Sequence, residues 1–234
     1  MRKISMPIDN TKDIMPENVG ERHFPIVLLL DTSGSMAGKG ISELNEGLRF
    51  FGKCLNEDTM ALGRAEIAIV SFGTGVQIET PFTPASLYEA PILSTGGLTS
   101  LNEGIEVALE LIEERKTTYK LAGISYYRPL LILISDGYAT DGSYVEAKMR
   151  LKEYINARKV SFIPLAINGA DIKYLQDYYP ADNHQRIVLL LKDYNFRDVF
   201  EWLSESISVI TSSNPMSTDS VALPPTPSVI TVGI

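Results

Sequence analysis

Apolar residues follow two rhythms along this chain. Unbroken runs at Phe24–Leu30, Pro129–Ser135 and Val160–Ile167 show no polar alternation. Such runs read as strands buried on both faces, the habit of a parallel sheet. Glu66–Phe72 reads as a further strand. Between them the spacing changes to a helical one. Ile41, Leu44, Leu48, Phe51 and Leu55 predict a helix over about 41–55. Ile105, Ala108, Leu109 and Ile112 predict a second helix from Leu101, with Arg115-Lys116 on its outer face. Val145, Met149, Leu151 and Ile155 mark a third, residues 171–178 a short one, and Phe196, Val199, Phe200, Leu203 and Ile207 a closing helix with Trp202 alongside. The Gly73-Thr74-Gly75 turn folds a short strand, Val76–Glu79, back on Glu66–Phe72 as an antiparallel hairpin. Ile187–Leu191 reads as an edge strand. Residues 80–93, with Pro81, Pro84 and Pro91, exclude a regular helix, and residues 117–128 read as a polar, aromatic connector. Strands alternating with helices predict an α/β fold: a doubly wound, mostly parallel central sheet with one antiparallel edge strand and helices on both faces.

The ends break the pattern. Residues 1–22 are polar and aperiodic and read as an N-terminal arm; residues 23–210 form the domain. Residues 211–234 turn to Ser, Thr and Pro, with Leu223-Pro224-Pro225-Thr226-Pro227, and read as a flexible tail or an extended peptide able to dock. The 234 residues carry 44% hydrophobic and 21% charged residues, enough for one full core. The net charge of −8 argues against a nucleic-acid surface, which needs a basic face, and against an anionic membrane. A single cysteine, Cys54, permits no intrachain disulfide and fits a reducing cytosol; inside the first helix it reads as a small buried hydrophobe. The first residues carry Arg2 and Lys3 without an apolar run, so no secretory leader is expected. Together these features predict a cytoplasmic protein.

The candidate chemistry sits where the first apolar run ends, at Asp31-Thr32-Ser33-Gly34-Ser35. An acid and two serines lie at the carboxyl end of a buried strand, just before a helix, which is where ligands sit in open α/β sheets. Alternate positions of extended backbone face one way, so Asp31, Ser33 and Ser35 can converge. Carboxylate and hydroxyl oxygens suit a hard cation such as Mg²⁺; Mn²⁺ and Ca²⁺ suit the same oxygens. Each residue also has a plainer reading. Asp31 or either serine can start a helix, Thr99 with Glu103 can form a capping box, and Asp136 before Gly137 can make a turn.

Taken together and in order, Asp31-Thr32-Ser33-Gly34-Ser35, Thr99 within Gly97-Leu98-Thr99-Ser100-Leu101 and Asp136 within Ser135-Asp136-Gly137 resemble the von Willebrand factor type A domain. That family carries a metal-ion-dependent adhesion site of pattern Asp-x-Ser-x-Ser, Thr, Asp. The resemblance spans about residues 24–210 and implies Mg²⁺ binding by Asp31, Ser33, Ser35, Thr99 and Asp136. It implies that Ser33 and Ser35 bind the ion directly, that Thr99 binds directly or through water, and that Asp31 and Asp136 hold metal-bound waters. It also implies a partner protein whose Asp or Glu completes the coordination, and a module that is not an enzyme. Leu29-Leu30-Asp31-Thr32-Ser33-Gly34-Ser35-Met36, Leu44-Asn45-Glu46-Gly47-Leu48 and residues 80–85 are similar to the small, free-standing bacterial TerY-like proteins associated with tellurium resistance. That narrower likeness implies a role in stress response or signalling, with an operon-encoded protein phosphatase or kinase as partner.

Two other functions compete with the interaction module. One is an accessory subunit of an ATP-driven chelatase or remodelling complex, because related domains accompany such motors. The other is a metal-dependent phosphoesterase, which lacks a general base or nucleophile beyond Asp31 and Asp136. Other chemistries fail on spacing. A P-loop needs Gly at Ser33 and Ser or Thr at Gly40. A haloacid-dehalogenase-type phosphatase needs an acid at Ser33, and a hydrolase elbow needs glycines at Ser33 and Ala37 around Ser35. His23 and His184 are expected on the surface. Glu110, Glu113 and Glu114 read as a solvated helix face. The Tyr126-Tyr127 and Tyr178-Tyr179 pairs suit either an interface or ordinary packing.

Overall fold

Every residue of the first strand, β1 (Phe24–Asp31), is buried, as an unbroken apolar run requires when helices cover both faces of its sheet. The computed structural model describes residues 16–136, 140, 144–167, 170–181, 187–213, 223–228 and 230–233. After β1 come α1 (Lys39–Glu57), α2 (Thr59–Arg64), β2 (Ala65–Phe72), β3 (Val76–Pro84), α3 (Leu101–Ala122), β4 (Leu130–Ser135), α4 (Tyr144–Asn156), β5 (Ser161–Ile167), α5 (Ile172–Gln176), β6 (Val188–Leu191), α6 (Phe196–Ser212) and β7 (Ile230–Gly233). The strands form one sheet in the order β3-β2-β1-β4-β5-β6-β7. β2, β1, β4, β5 and β6 run parallel, and β3 is the expected antiparallel edge.

Side-chain alternation along β1 divides the core in two. Ile26, Leu28 and Leu30 pack with α1, α2 and α6; Val27 and Leu29 pack with α3, α4 and α5. On the first face α1 and α6 approach closely. A Cβ on Gly47 would lie 2.8 Å from Phe200, so that crossing demands the smallest residue. The chain moves from β1 to β2 on one side and later to β4 on the other. The carboxyl ends of β1 and β4 therefore flank the point where strand order reverses, and the Leu30–Ile134 register brings Asp31 beside Ser135 and Asp136.

Several elements differ from the sequence expectation. β6 is not an edge: β7, from the segment read as a flexible tail, adds antiparallel to it, giving the sheet a second antiparallel strand. Trp202 Nε1 donates to the Pro224 carbonyl at 3.1 Å, tying part of that segment to α6. Helix α3 runs through the expected connector to Ala122, where Gly123 at φ +67° closes it in the left-handed conformation glycine tolerates. Helix α2 was not expected; Asp58 caps it, accepting from the Met60 and Ala61 amides. Cys54 is only partly buried. Tyr127, Tyr178 and Tyr179 are buried, so these tyrosines pack inside the domain. The described part of the arm also makes contacts, with Glu21 pairing with Arg64 and Arg22 lying over Tyr127.

The largest correction concerns charge at the amino ends of the strands. His23, expected on the surface, is buried, with Nδ1 2.8 Å from Glu66 Oε1. Arg115 and Lys116, expected outside, are buried as well. Glu66 is 1% exposed and accepts from Arg115 Nε and the Tyr119 hydroxyl, both at 2.5 Å. Burial pushes the Glu66 carboxyl upward. Hydrogen bonds from His23 and Arg115, the Arg115 charge and Tyr119 outweigh that and hold it below its ordinary value. Lys116 pairs with Glu113 at 2.6 Å. His184 lies outside the described residues. No helix among the described residues is long and apolar enough to cross a membrane.

Candidate metal centre

Where β1 ends, the chain leaves the sheet under tight control. The Thr32 amide and hydroxyl both donate to the Phe72 carbonyl of β2, at 2.8 and 3.1 Å. The Ser33 amide turns back to Asp31 Oδ1 at 2.9 Å. Residues Gly34–Met36 form a single tight helical turn. Ser33 Oγ and Ser35 Oγ come within 2.8 Å of each other. Ser35 Oγ donates to Asp136 Oδ1 at 2.7 Å, and Ser135 Oγ donates to Asp31 Oδ2 at 2.6 Å. Asp31, Ser33, Ser35 and Asp136, predicted from sequence, therefore meet in one network. Ser135 joins them and was missed. Its signal was positional: it precedes Asp136 on the strand that flanks β1.

Thr99 is buried in a second loop held against the first. The Gly34 amide donates to the Gly97 carbonyl at 3.2 Å, and the Gly96 amide to the Thr32 carbonyl at 2.9 Å. Gly97 adopts φ +64°, and a Cβ there would stand 1.7 Å from Thr74 Oγ1; no other residue fits that position without moving the turn. Asn45 of α1 pins the same segment from below, bonding both the amide and the carbonyl of Leu93 at 2.8 and 2.9 Å. The third loop reaches Thr99 through Thr140. The Thr99 amide donates to Thr140 Oγ1 and the Thr140 amide to the Thr99 carbonyl, each at 2.9 Å. Thr140 was also missed, since a hydroxyl in a polar loop carries no sequence signal of its own. Gly137 lies outside the described residues.

Two carboxyls lie close enough at the site to affect one another. Asp31 is fully buried. Burial pushes its carboxyl above the ordinary range, hydrogen bonds from Ser135 and Ser33 pull it back, and the Asp136 charge raises it again. Two acids and several hydroxyls are all oxygen donors, the set a hard divalent ion takes. Among the described residues no group of three or more His, Cys, Asp or Glu is placed to hold a metal. The described donors are carboxylates and hydroxyls, unlike the thiolates and imidazoles of a closed structural zinc. The donor types present fit a hard cation. Leu98, next to Thr99 in the chain, is 64% exposed.

Comparison with known proteins shows likeness in fold. The chain is 24% identical over 210 residues to inter-alpha-trypsin inhibitor heavy chain H1 of Bos taurus, covering 87% of this chain and 22% of that protein. It superposes on a von Willebrand factor type A protein from Catenulispora acidiphila with a TM-score of 0.61 at 14% identity, covering 81% of this chain and 43% of that one. It superposes on proximal thread matrix protein 1 from the mussel byssus, with a zinc-occupied MIDAS motif, with a TM-score of 0.53 at 15% identity, covering 80% and 48%. The chain spans less than half the length of each of these proteins. The family model of the von Willebrand factor type A domain matches residues 26–139, the segment that carries Asp31, Ser33, Ser35, Thr99 and Asp136.

Proposed function

We propose that this chain is a metal-dependent protein-interaction module. In this reading Ser33, Ser35 and Thr99 bind a divalent cation, Mg²⁺ first among candidates, and Asp31 and Asp136 steady its water ligands. When bound, the ion supplies a Lewis-acidic position for an Asp or Glu side chain of a partner protein. The observation that carries the reading is the network in which Ser33 Oγ, Ser35 Oγ and Asp136 Oδ1 follow one another at 2.8 and 2.7 Å at the switch point of the sheet. The residues of the chain divide the work. Ser135 and the Ser33 amide fix both oxygens of Asp31, so its charge is held behind the hydroxyls and does not swing out to neutralise the ion.

A protein of similar fold, the mussel protein, is named with a zinc-occupied MIDAS motif, which lends support to the metal reading. The module is read as non-catalytic, because the histidine nearest in sequence to the metal loop, His23, is engaged with Glu66 at the amino ends of the strands. Its likeness in sequence to TerY-like proteins is the ground for proposing a cytoplasmic role in stress response or signalling, with a protein phosphatase or kinase as partner. The experiment is affinity capture from lysate of the source organism on the wild-type chain and on Ser33→Ala, each with Mg²⁺ and with chelator. A protein retained by wild type only with Mg²⁺, and lost on Ser33→Ala, is the expected result. Retention that ignores both chelator and substitution would overturn the reading.

A further inference from the structure

A polar cavity of about 300 Å³ opens beside the metal loops, between the β2–β3 turn and residues 94–96. It shares a wall with the site. Thr32, between Asp31 and Ser33 in the chain, lines it together with Ser71, Thr74, Gln77, Glu79 and Thr95. Alternation of extended backbone sends the neighbours of Thr32 toward the metal loops and Thr32 the other way. The volume is at the small end of the roughly 300–1,000 Å³ typical of ligand sites, suited to one side chain.

The lining selects the sign of the occupant. Among the described residues that form it, Glu79 is the sole titratable group, and there is no lysine, arginine or histidine. Glu79 Oε1 accepts the Ser71 hydroxyl at 2.6 Å, and a carboxylate has about four acceptor positions. An anion would need free donors, and three backbone N–H groups of the wall are spent within the protein. The Gly73 amide donates to the Gly75 carbonyl at 2.9 Å, the Thr74 amide to the Gly96 carbonyl at 3.1 Å, and the Gly96 amide to the Thr32 carbonyl at 2.9 Å. What remains is a carboxylate, a side-chain amide and hydroxyls that can all accept. An ammonium or guanidinium group, all donors and no acceptor, complements such a lining.

We propose that this cavity receives a cationic side chain, arginine above lysine, from the same partner segment that presents its carboxylate to the metal. The partner's carboxylate rests on the function proposed above; the cavity's preference for a cation does not. The partner thereby acquires a chemistry: an acidic and a basic residue close together, read by two adjoining pockets of opposite charge.

The test begins without metal. N-acetyl-L-arginine amide is titrated into the ¹⁵N-labelled full chain in chelator, with N-acetyl-L-glutamate amide as control. Saturable shifts confined to the amides of Gly73, Thr74, Gly75 and Gly96, seen with the arginine probe alone, are expected. Glu79→Gln should weaken binding about tenfold, the size of one charge-assisted hydrogen bond. Gln77→Lys, which supplies the cavity with a cation of its own, should abolish it while leaving Glu79 in place. No saturable shift at these amides, or binding unchanged in both variants, overturns the proposal. Peptides carrying Arg and Asp separated by zero to three alanines are then titrated with Mg²⁺. A gain over the arginine probe that disappears in chelator supports the two-pocket partner. Arginine binding without any Mg²⁺-dependent gain would refute the shared partner and leave the cation pocket standing, while the metal reading stands or falls on Mg²⁺ titration of the chain alone.

Discussion

Replacing Ser135 with Ala isolates the part of the site that holds Asp31. Ser135 is fully buried and its hydroxyl lies 2.6 Å from Asp31 Oδ2, and it is not among the residues proposed to bind metal. A hydrogen bond to an ionised group contributes about 1.5–3 kcal/mol, a neutral one about 0.5–1.5 kcal/mol. The loss should therefore depend on the charge of Asp31. Because the folded-state pKa of Asp31 is raised above its ordinary 3.8, the folded chain binds that proton more tightly than the unfolded chain. The sign is that stability from this group is greatest below the ordinary value and falls as pH rises through the raised pKa. At a pH above the raised pKa, with Asp31 ionised, Ser135→Ala should cost about 1.5–3 kcal/mol. For a chain of this size that is a fall in melting temperature of about 3–12 °C. Near pH 3.5, with Asp31 protonated, the cost should shrink to that of a neutral bond. The assay is urea denaturation of both proteins at the two pH values, compared as differences so that other titrating groups cancel. A variant as stable as wild type, or a loss equal at both pH values, would refute the claim that this hydroxyl supports a buried carboxylate.

Three other outcomes are expected. Gly97→Ala should cost about 1–3 kcal/mol through its left-handed backbone alone and, by shifting the loop that carries Thr99, weaken divalent-ion binding; denaturation and metal titration read the two effects separately. Glu66 has a lowered carboxyl pKa, so its contribution is fully present above the ordinary 4.5 and is lost as pH falls through the lowered value; Glu66→Gln should cost roughly 3–5 kcal/mol at neutral pH and flatten the decline of the urea midpoint in acid. Trp202→Phe removes the bond to Pro224 and should cost about 0.5–1.5 kcal/mol, with faster hydrogen exchange in residues 223–228 as the direct readout.

The positions of the candidate site were easier to read in the sequence than the charges of the core. Asp31, Ser33 and Ser35 stand at fixed offsets after an apolar run, and Asp136 ends a second such run, so local pattern placed them before any contact was known. Ser135 carries the same signal but looks like an ordinary strand end; only the pairing of β1 with β4 turns it toward Asp31. His23, Arg115 and Lys116 were misplaced because polarity alone assigns them to solvent. Glu66, distant in sequence, makes burial of His23 and Arg115 tolerable by supplying opposite charge. The extension of α3 followed the same error, since the buried positions Arg115, Lys116 and Tyr119 continue its inner face but do not read as apolar. β7 was hidden by averaging: Ile230-Thr231-Val232 is a strand-like triplet following a proline-rich stretch, and its pairing with β6 is a long-range fact.

The central claim, that hydroxyls at the switch point hold a divalent ion, is tested most directly by calorimetric titration of Mg²⁺ into the chelator-stripped chain and into Ser33→Ala and Ser35→Ala, with circular dichroism to check the fold. One saturable site in wild type, weakened about tenfold or more in each folded variant, is the predicted result. Equal affinity in all three proteins, or no divalent-ion binding by the wild type, would contradict it.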